Sequence, residues 1–303
     1  MNGHTHAREA PAKLSRPLLL ALLITASFTV IELVGGFLSG SLALMSDAGH
    51  MFTDTLAIGL SLAAMRVAMR PADEGKTFGY LRAEILAALV NGASLLFISV
   101  LIMYESWRRI VSPPEIDAGL MLVVASLGLA ANGAGVYLLH DRSKATLNER
   151  GAFLHMLGDF LSSIAVIVGA IVIMAFDVYI LDPVLSIMIS VIIIAGAWKL
   201  VTQSTSILLE SAPSHIDFDD LRRSLKGIDG VTDIHDLHVW TLSSGLHSLS
   251  AHLVVKDRML SECSDVVRTC EALLKERFGI SHTTFQVECE RCEESACVFN
   301  HPK

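Results

Sequence analysis

Two pairs of residues in this chain combine metal-ligand chemistry with helical spacing. In "SDAGHMFTD", Ser46 to Asp54, the residues His50 and Asp54 stand four apart, and in "FLHMLGDF" His155 and Asp159 repeat the arrangement. On an α-helix each pair shares one face, about one turn apart, and Asp47 lies on the stripe of His50 one turn earlier. Together the pairs offer two imidazole nitrogens and two carboxylate oxygens, a set that suits tetrahedral zinc. Two carboxylates balance a divalent cation. When the cation leaves, protons can take its place, since imidazole titrates near neutral pH. No thiolate takes part, so the set favours release over storage.

A helix-packing hydrogen bond would account for one such pair, but its recurrence in a second segment argues for a site. Glu32, Asn91 and Asn132 are single polar residues in other apolar segments, and they are read as packing or supporting groups.

These residues lie in a strongly apolar chain. Of 303 residues 52% are hydrophobic and 18% charged, too apolar a balance for an ordinary soluble protein of this length. A helix needs about 20 mostly apolar residues to cross a bilayer core of roughly 30 Å. Six segments are long enough, at about 17 to 38, 41 to 66, 82 to 106, 117 to 140, 150 to 175 and 180 to 208. A carboxylate at mid-bilayer costs about 2.5–3.5 kcal/mol on insertion scales, so Asp47, Asp54 and Asp159 each need a partner or a task.

Lys and Arg set the orientation. The N-terminal arm holds Arg8, Lys13 and Arg16, the second connection Arg66, Arg70, Lys76 and Arg82, and the fourth Arg142, Lys144 and Arg150. The other three connections together hold only Arg108 and Arg109. Both termini are therefore expected in the cytoplasm. The opening "MNGHTHAREA" leads into the spans with no recognisable cleavage site, so no removable signal peptide is read. The net charge of -8 argues against nucleic acid as a partner and fits traffic in cations.

From about residue 210 the sequence turns polar. The expected organisation is a cytoplasmic arm at 1–16, a six-helix transmembrane domain at 17–208, a cytoplasmic domain at 209–290 and a Cys/His-containing tail at 291–303. Within the cytoplasmic domain, Asp217 to Lys226 reads as an amphipathic helix. "VTDIHDLHVWTL" and "HSLSAHLVV" read as a hairpin, Ser261 to Phe278 as a second helix, and "HTTFQVE" as a last strand. The order αββαβ is a small two-layer α+β domain. Strand alternation puts His235 and Asp236 on opposite faces, and His238 beside Trp240 reads as structural. All five cysteines, Cys263, Cys270, Cys289, Cys292 and Cys297, lie in this polar part. In the cytoplasm they are expected as reduced thiols or metal ligands rather than disulfides.

The stretches "SLALMSDAGHMFTD", "TFGYLRAEILAALVN", "HMLGD" and "HDLHVWTL" resemble the cation diffusion facilitator family over about residues 17 to 290, most closely its zinc-exporting branch. The resemblance implies a homodimer, a metallochaperone-like cytoplasmic domain and zinc/proton antiport by alternating access. Carried over by position, it implies His50, Asp54, His155 and Asp159 as the transport site, with His rather than Asp at position 50 pointing to zinc and to cadmium or cobalt as passengers. It implies Leu154 in a hydrophobic gate, an Arg82–Glu210 pair as a hinge, and a cytoplasmic zinc site of His235, His252, His282 and Glu288. Asp47 is read as an access-path or supporting carboxylate. Lys76 stands where many zinc-type members carry His, which disfavours a loop site on Asp73 and Glu74.

The end of the chain, "ECERCEESACVFNHPK", holds a C-x₂-C half-site of Cys289 and Cys292, followed by Cys297 and His301. Vertebrate relatives suggest that His4 and His6 of the other protomer's arm complete it. A dispensable tail is the rival reading.

The function expected is zinc export by a secondary antiporter and not an enzyme, in a bacterial plasma membrane on the strength of the short, His-poor fourth connection. No GxxxxGK[ST] sequence suggests an ATP-driven pump, and no HExxH suggests an intramembrane hydrolase. The alternative is a membrane-anchored metal sensor, in which the tail does the work.

Overall fold

The computed structural model describes residues 16–140, 147–243 and 245–290, and within its helices the side chains of several residues, Leu154 and His155 among them, lie outside the described set. The chain divides into two compact units. One comprises Met1–Val67 with Ala87–Val201, and the other Ala68–Leu86 with Thr202–Lys303.

The first unit is built from six helices: α1 (Arg16–Ser39), α2 (Leu42–Ala68), α3 (Ala83–Val111), α4 (Ala118–His140), α5 (Leu147–Phe176) and α6 (Leu181–Leu208). Each lies within a few residues of an expected span. Among the described residues, α3, α6 and the stretches Ala118–Tyr137 and Leu157–Phe176 are long and apolar enough to cross a membrane, and α1 contributes a shorter apolar stretch, Ala26–Ser39. In α2 the apolar run is interrupted by Asp47, His50 and Asp54, the residues that make it chemically interesting.

Burial in this unit is inverted relative to a water-soluble protein. Phe37, Phe97, Phe176 and Ile192 are exposed, while Glu32, Asp47, Asn132, Asp159 and Asp182 are buried. Lipid solvates the apolar exterior, and polar groups must face the bundle interior. Leu44 of α2, Met121, Val124 and Ala125 of α4, and Val166, Ala170 and Ile173 of α5 form one apolar cluster. Helix α4 packs against both α1 and α5. A Cβ built on Gly35 of α1 would come within 2.5 Å of a Val124 methyl, so glycine permits this close approach.

The start of α2 is anchored from a distance. Asp182, in the first turn of α6, is fully buried. Its Oδ1 accepts hydrogen bonds from the Ser41 hydroxyl at 2.6 Å and the Ala43 N–H at 3.1 Å, and its Oδ2 accepts from the Leu42 N–H at 2.8 Å. A helix N-terminus leaves four N–H groups unpaired, so a carboxylate brought from another helix acts as its cap. Arg109 donates from Nη1 to the Gly40 carbonyl at 2.6 Å and from Nε to Glu105 at 3.3 Å, closing the same corner.

The second unit contains α7 (Phe218–Lys226), β1 (Val231–Ser243), β2 (Leu246–Val255), α8 (Leu260–Phe278) and β3 (Ile280–Glu288). The sheet order is β1-β2-β3, with β1 and β2 antiparallel and β2 and β3 parallel across the α8 crossover. This is the expected αββαβ order. Its core gathers Leu221, Leu225, Leu249, Leu253, Leu274, Ile280 and Cys270. Burial pushes the Cys270 thiol up to about 11, so it serves as a small apolar group. Asp217 caps α7 by accepting from the Asp219 N–H at 2.9 Å and the Asp220 N–H at 3.2 Å. Asp217→Ala should cost about 1 kcal/mol of this unit's stability, read from its denaturant midpoint.

Ala68–Leu86 and Thr202–Leu208 group with this second unit by compactness. Local contacts hold the α2–α3 connection there. Asp73 Oδ1 accepts from the Gly75 N–H at 2.9 Å and the Lys76 N–H at 2.8 Å, and its Oδ2 accepts from the Tyr80 hydroxyl at 3.1 Å. The Lys76 N–H, then the Tyr80 hydroxyl, hold the Asp73 carboxyl below its ordinary value. Both carboxylate oxygens of Asp73 are thus engaged in the turn. The Phe78 and His282 rings meet edge-on at 5.7 Å, and the Ser243 hydroxyl donates to Glu84 at 3.2 Å.

Candidate metal centres

The membrane-embedded candidate is assembled by α2 and α5. His50 Nε2 lies 3.4 Å from Asp54 Oδ2, one turn along α2, and 3.9 Å from Asp159 Oδ1 on α5. Three of the four expected ligands thus converge. His155 lies on α5 four residues before Asp159, and its side chain, like that of Leu154, falls outside the described residues. The Asp159 side chain is only 5% exposed, whereas His50 and Asp54 are 25% and 22% exposed. The cluster therefore has a buried wall at Asp159 and a more accessible side at His50 and Asp54.

Serines join the Asp47 carboxylate to the α5 backbone at Asp159. The Ser162 hydroxyl lies 2.8 Å from Asp47 Oδ1 as donor and 3.0 Å from the Asp159 carbonyl, while the Ser163 hydroxyl donates to the same carbonyl at 2.9 Å and accepts from Asn132 Nδ2 at 3.3 Å. Asp47 is accordingly tied to α5, and Asn132 supports the α5 turn that carries Asp159.

Glu32 of α1 is 1% exposed, and both its carboxylate oxygens are buried without a hydrogen-bond partner among the described residues. It reaches towards Gly128 of α4, where a built Cβ would collide with Oε1. Gly128→Ala should therefore force the carboxylate aside and cost roughly 1–3 kcal/mol, measured as a lowered melting temperature of the purified protein.

The second candidate lies in the C-terminal sheet. His235 on β1 pairs directly across from His252 on β2, with ring centroids 4.9 Å apart. Glu288, at the end of β3, contacts both: Oε2 lies 3.2 Å from His235 Nε2 and Oε1 lies 2.9 Å from His252 Nδ1. One ligand atom from each of the three can be chosen so that all lie within 4.8 Å of one another. Two imidazoles and a carboxylate at this spacing suit zinc, which would join all three strands.

Two expectations change here. His282 is on β3 beside Ser248, six residues before Glu288, with its ring against Phe78. At roughly 3.3 Å rise per residue it stands far from the cluster. Asp236 was expected on the face opposite His235. The β1–β2 register instead shifts between His235 and His238, and Asp236 adopts a left-handed φ of 49°. This bulge turns Asp236 so that Oδ2 lies 3.6 Å from His252 Nε2 and Oδ1 lies 3.0 Å from His238 Nε2. The sequence "HDLH" carries no sign of the bulge, so alternation misplaces Asp236.

Arg82 donates from Nη2 to Glu210 Oε1 at 2.8 Å, so the expected charge pair forms. Their side chains are 34% and 61% exposed, and an exposed pair contributes about 0–1 kcal/mol. Cys289 is exposed, with Sγ 4.0 Å from Asp257 Oδ1. Cys292, Cys297, His4 and His6 lie outside the described residues.

Comparison with known proteins places the chain in a family. Residues 18–209 match the cation efflux transmembrane domain, and residues 213–290 match the cation efflux protein cytoplasmic domain. The chain is 38% identical to the "Cadmium, cobalt and zinc/H(+)-K(+) antiporter" of Bacillus subtilis (strain 168), over 99% of this chain and 96% of the relative. It is 39% identical to the "Metal cation efflux system protein CzcD" of Cupriavidus metallidurans, over 97% of this chain and 92% of the relative. It is 37% identical to the "Zinc transporter ZitB" of Escherichia coli (strain K12), over 99% and 95%. With a six-helix membrane unit and an αββαβ unit, each carrying a cluster of histidine and carboxylate side chains, this chain is an integral membrane member of the cation efflux, or cation diffusion facilitator, family.

Proposed function

We propose that this protein exports zinc from the cytoplasm in exchange for protons, with cadmium and cobalt as further cargo. The observation that carries the reading is the convergence of His50, Asp54 and Asp159 from two membrane helices, at a place where charge is otherwise costly. The relatives' names, an H(+)-K(+) antiporter for cadmium, cobalt and zinc and a zinc transporter, support the same cargo and coupling.

His155, on the helix of Asp159, is the proposed fourth ligand. Zinc entering from the cytoplasmic side exchanges its water shell for these side chains. Rocking of the helices then opens the site to the other face, where protons take over the ligands and the ion departs. Leu154 is the proposed gate, and Asp47, held by Ser162, lies on the access path. The proposed assembly is a homodimer with both termini cytoplasmic. Arg109, one of the two basic residues assigned to the far side, is satisfied locally by Glu105 and Gly40, which is compatible with that topology.

His235, His252 and Glu288 are the proposed cytoplasmic zinc ligands, with Asp236 orienting His252. The Arg82–Glu210 pair is a proposed hinge, and Cys289, Cys292 and Cys297 with His4 and His6 a proposed tail site. The deciding test is zinc uptake into proteoliposomes with and without an imposed pH gradient. Uptake should rise several-fold with the gradient, and gradient-independent uptake would remove proton coupling. Glu288→Gln should lower bound zinc by one equivalent per protomer in dialysed protein, and unchanged stoichiometry would remove the cytoplasmic site.

A further inference from the structure

Outside both clusters, a second pair of histidines meets in the C-terminal unit. His215 lies in the segment between α6 and α7, where the Ile216 N–H donates to the Pro213 carbonyl at 3.1 Å and fixes the turn. His247 opens β2, directly across from Thr241 of β1. The two rings stand with centroids 5.1 Å apart and planes tilted by 56°.

We propose that His215 and His247 form a second cytoplasmic binding site for late first-row divalent metal ions. The spacing is the first argument. Imidazole nitrogens bound at about 2.0–2.1 Å, with a tetrahedral angle at the metal, put ring centroids roughly 5 Å apart. The His235 and His252 rings, already read as a ligand pair, stand at 4.9 Å, nearly the same separation.

The second argument is orientation. His247 Nδ1 lies 3.2 Å from the hydroxyl oxygen of Thr241, a buried residue. With Nδ1–H donating to that oxygen, the tautomer that results leaves the Nε2 lone pair for a metal, the arrangement by which outer groups commonly aim a ligating histidine. Burial, then the neighbouring His215, lowers the His247 pKa, which keeps the ring neutral as ligation requires.

Chemistry narrows the ion. Among the described residues no carboxylate or thiolate joins this pair in a three-ligand cluster. Two imidazoles with water completing the shell select zinc, cobalt, nickel or copper over magnesium or calcium. With fewer protein ligands than the Glu288 cluster, the site binds more weakly and fills after it. Occupancy ties the segment leading from α6 to the β1–β2 hairpin, so cytoplasmic metal clamps the entry to this unit.

The test uses full-length purified protein and does not depend on the export reading. Nickel binding by equilibrium dialysis should fall by one equivalent per protomer in His215→Ala, and by the same single equivalent in His247→Ala and in the double variant. That equivalent should persist when His235→Ala removes the other cluster. Unaltered protein provides a second measurement. Zinc should protect His215 and His247 together from diethyl pyrocarbonate, read by peptide mass spectrometry. Wild-type stoichiometry in the double variant, or equal labelling with and without zinc, overturns the proposal.

Discussion

Asp54→Asn and Asp159→Asn should each abolish zinc flux in proteoliposomes while the protein remains folded. Each change removes one of the two negative charges proposed to balance the divalent ion, from a carboxylate that lies beside His50. An uncompensated charge at membrane depth costs roughly 3 kcal/mol even on permissive insertion scales, which corresponds to about a hundredfold in rate. Asp159 should be the more sensitive position, because its side chain is 5% exposed and water cannot replace the lost oxygen as it can at Asp54. His50→Asp should behave differently. It keeps a ligand but makes the set harder, so flux should shift from zinc towards manganese in a competition assay. Wild-type zinc flux in either Asn variant would sink the transport-site assignment.

The second large effect is expected far from any ligand. Asp182→Ala should destabilise the membrane unit by roughly 3 kcal/mol, because it strands two N–H groups and a hydroxyl in a fully buried corner. The loss should appear as a lower melting temperature by size-exclusion thermostability and, since α2 carries His50 and Asp54, as loss of flux. Asp182→Asn should fall between, since its single carbonyl oxygen can still accept from Ser41 and Ala43 while the bond from Leu42 is lost. An unchanged melting temperature for Asp182→Ala would show that the α2 N-terminus is held by other means. The readout separates this anchor from a ligand: Asp159→Asn should lose flux with stability nearly kept, Asp182→Ala should lose both.

Much of this molecule is legible in its sequence, because membrane insertion and helical periodicity are local constraints. Six apolar segments specified six helices to within a few residues, and the i,i+4 spacing of His50 with Asp54 put both on one face. The αββαβ order followed from alternation and amphipathicity in the same way. Ligand type could also be read directly, since side-chain identity carries it.

What stayed hidden depends on distance along the chain. Asp182 looks like an ordinary polar residue at a span end, and its role exists only because α6 brings it to residues about 140 positions away. Glu32 is a lone carboxylate in sequence, and only the approach of α4 at Gly128 shows what encloses it. In the C-terminal unit, a one-residue bulge moved Asp236 to the ligand face, and strand register left His282 beside Phe78. The sequence by itself determined which groups could bind metal, how many helices carry them and which order the small domain takes. Tertiary structure alone decided which groups meet, because register, bulges and helix contacts are set by packing between segments that no local pattern encodes.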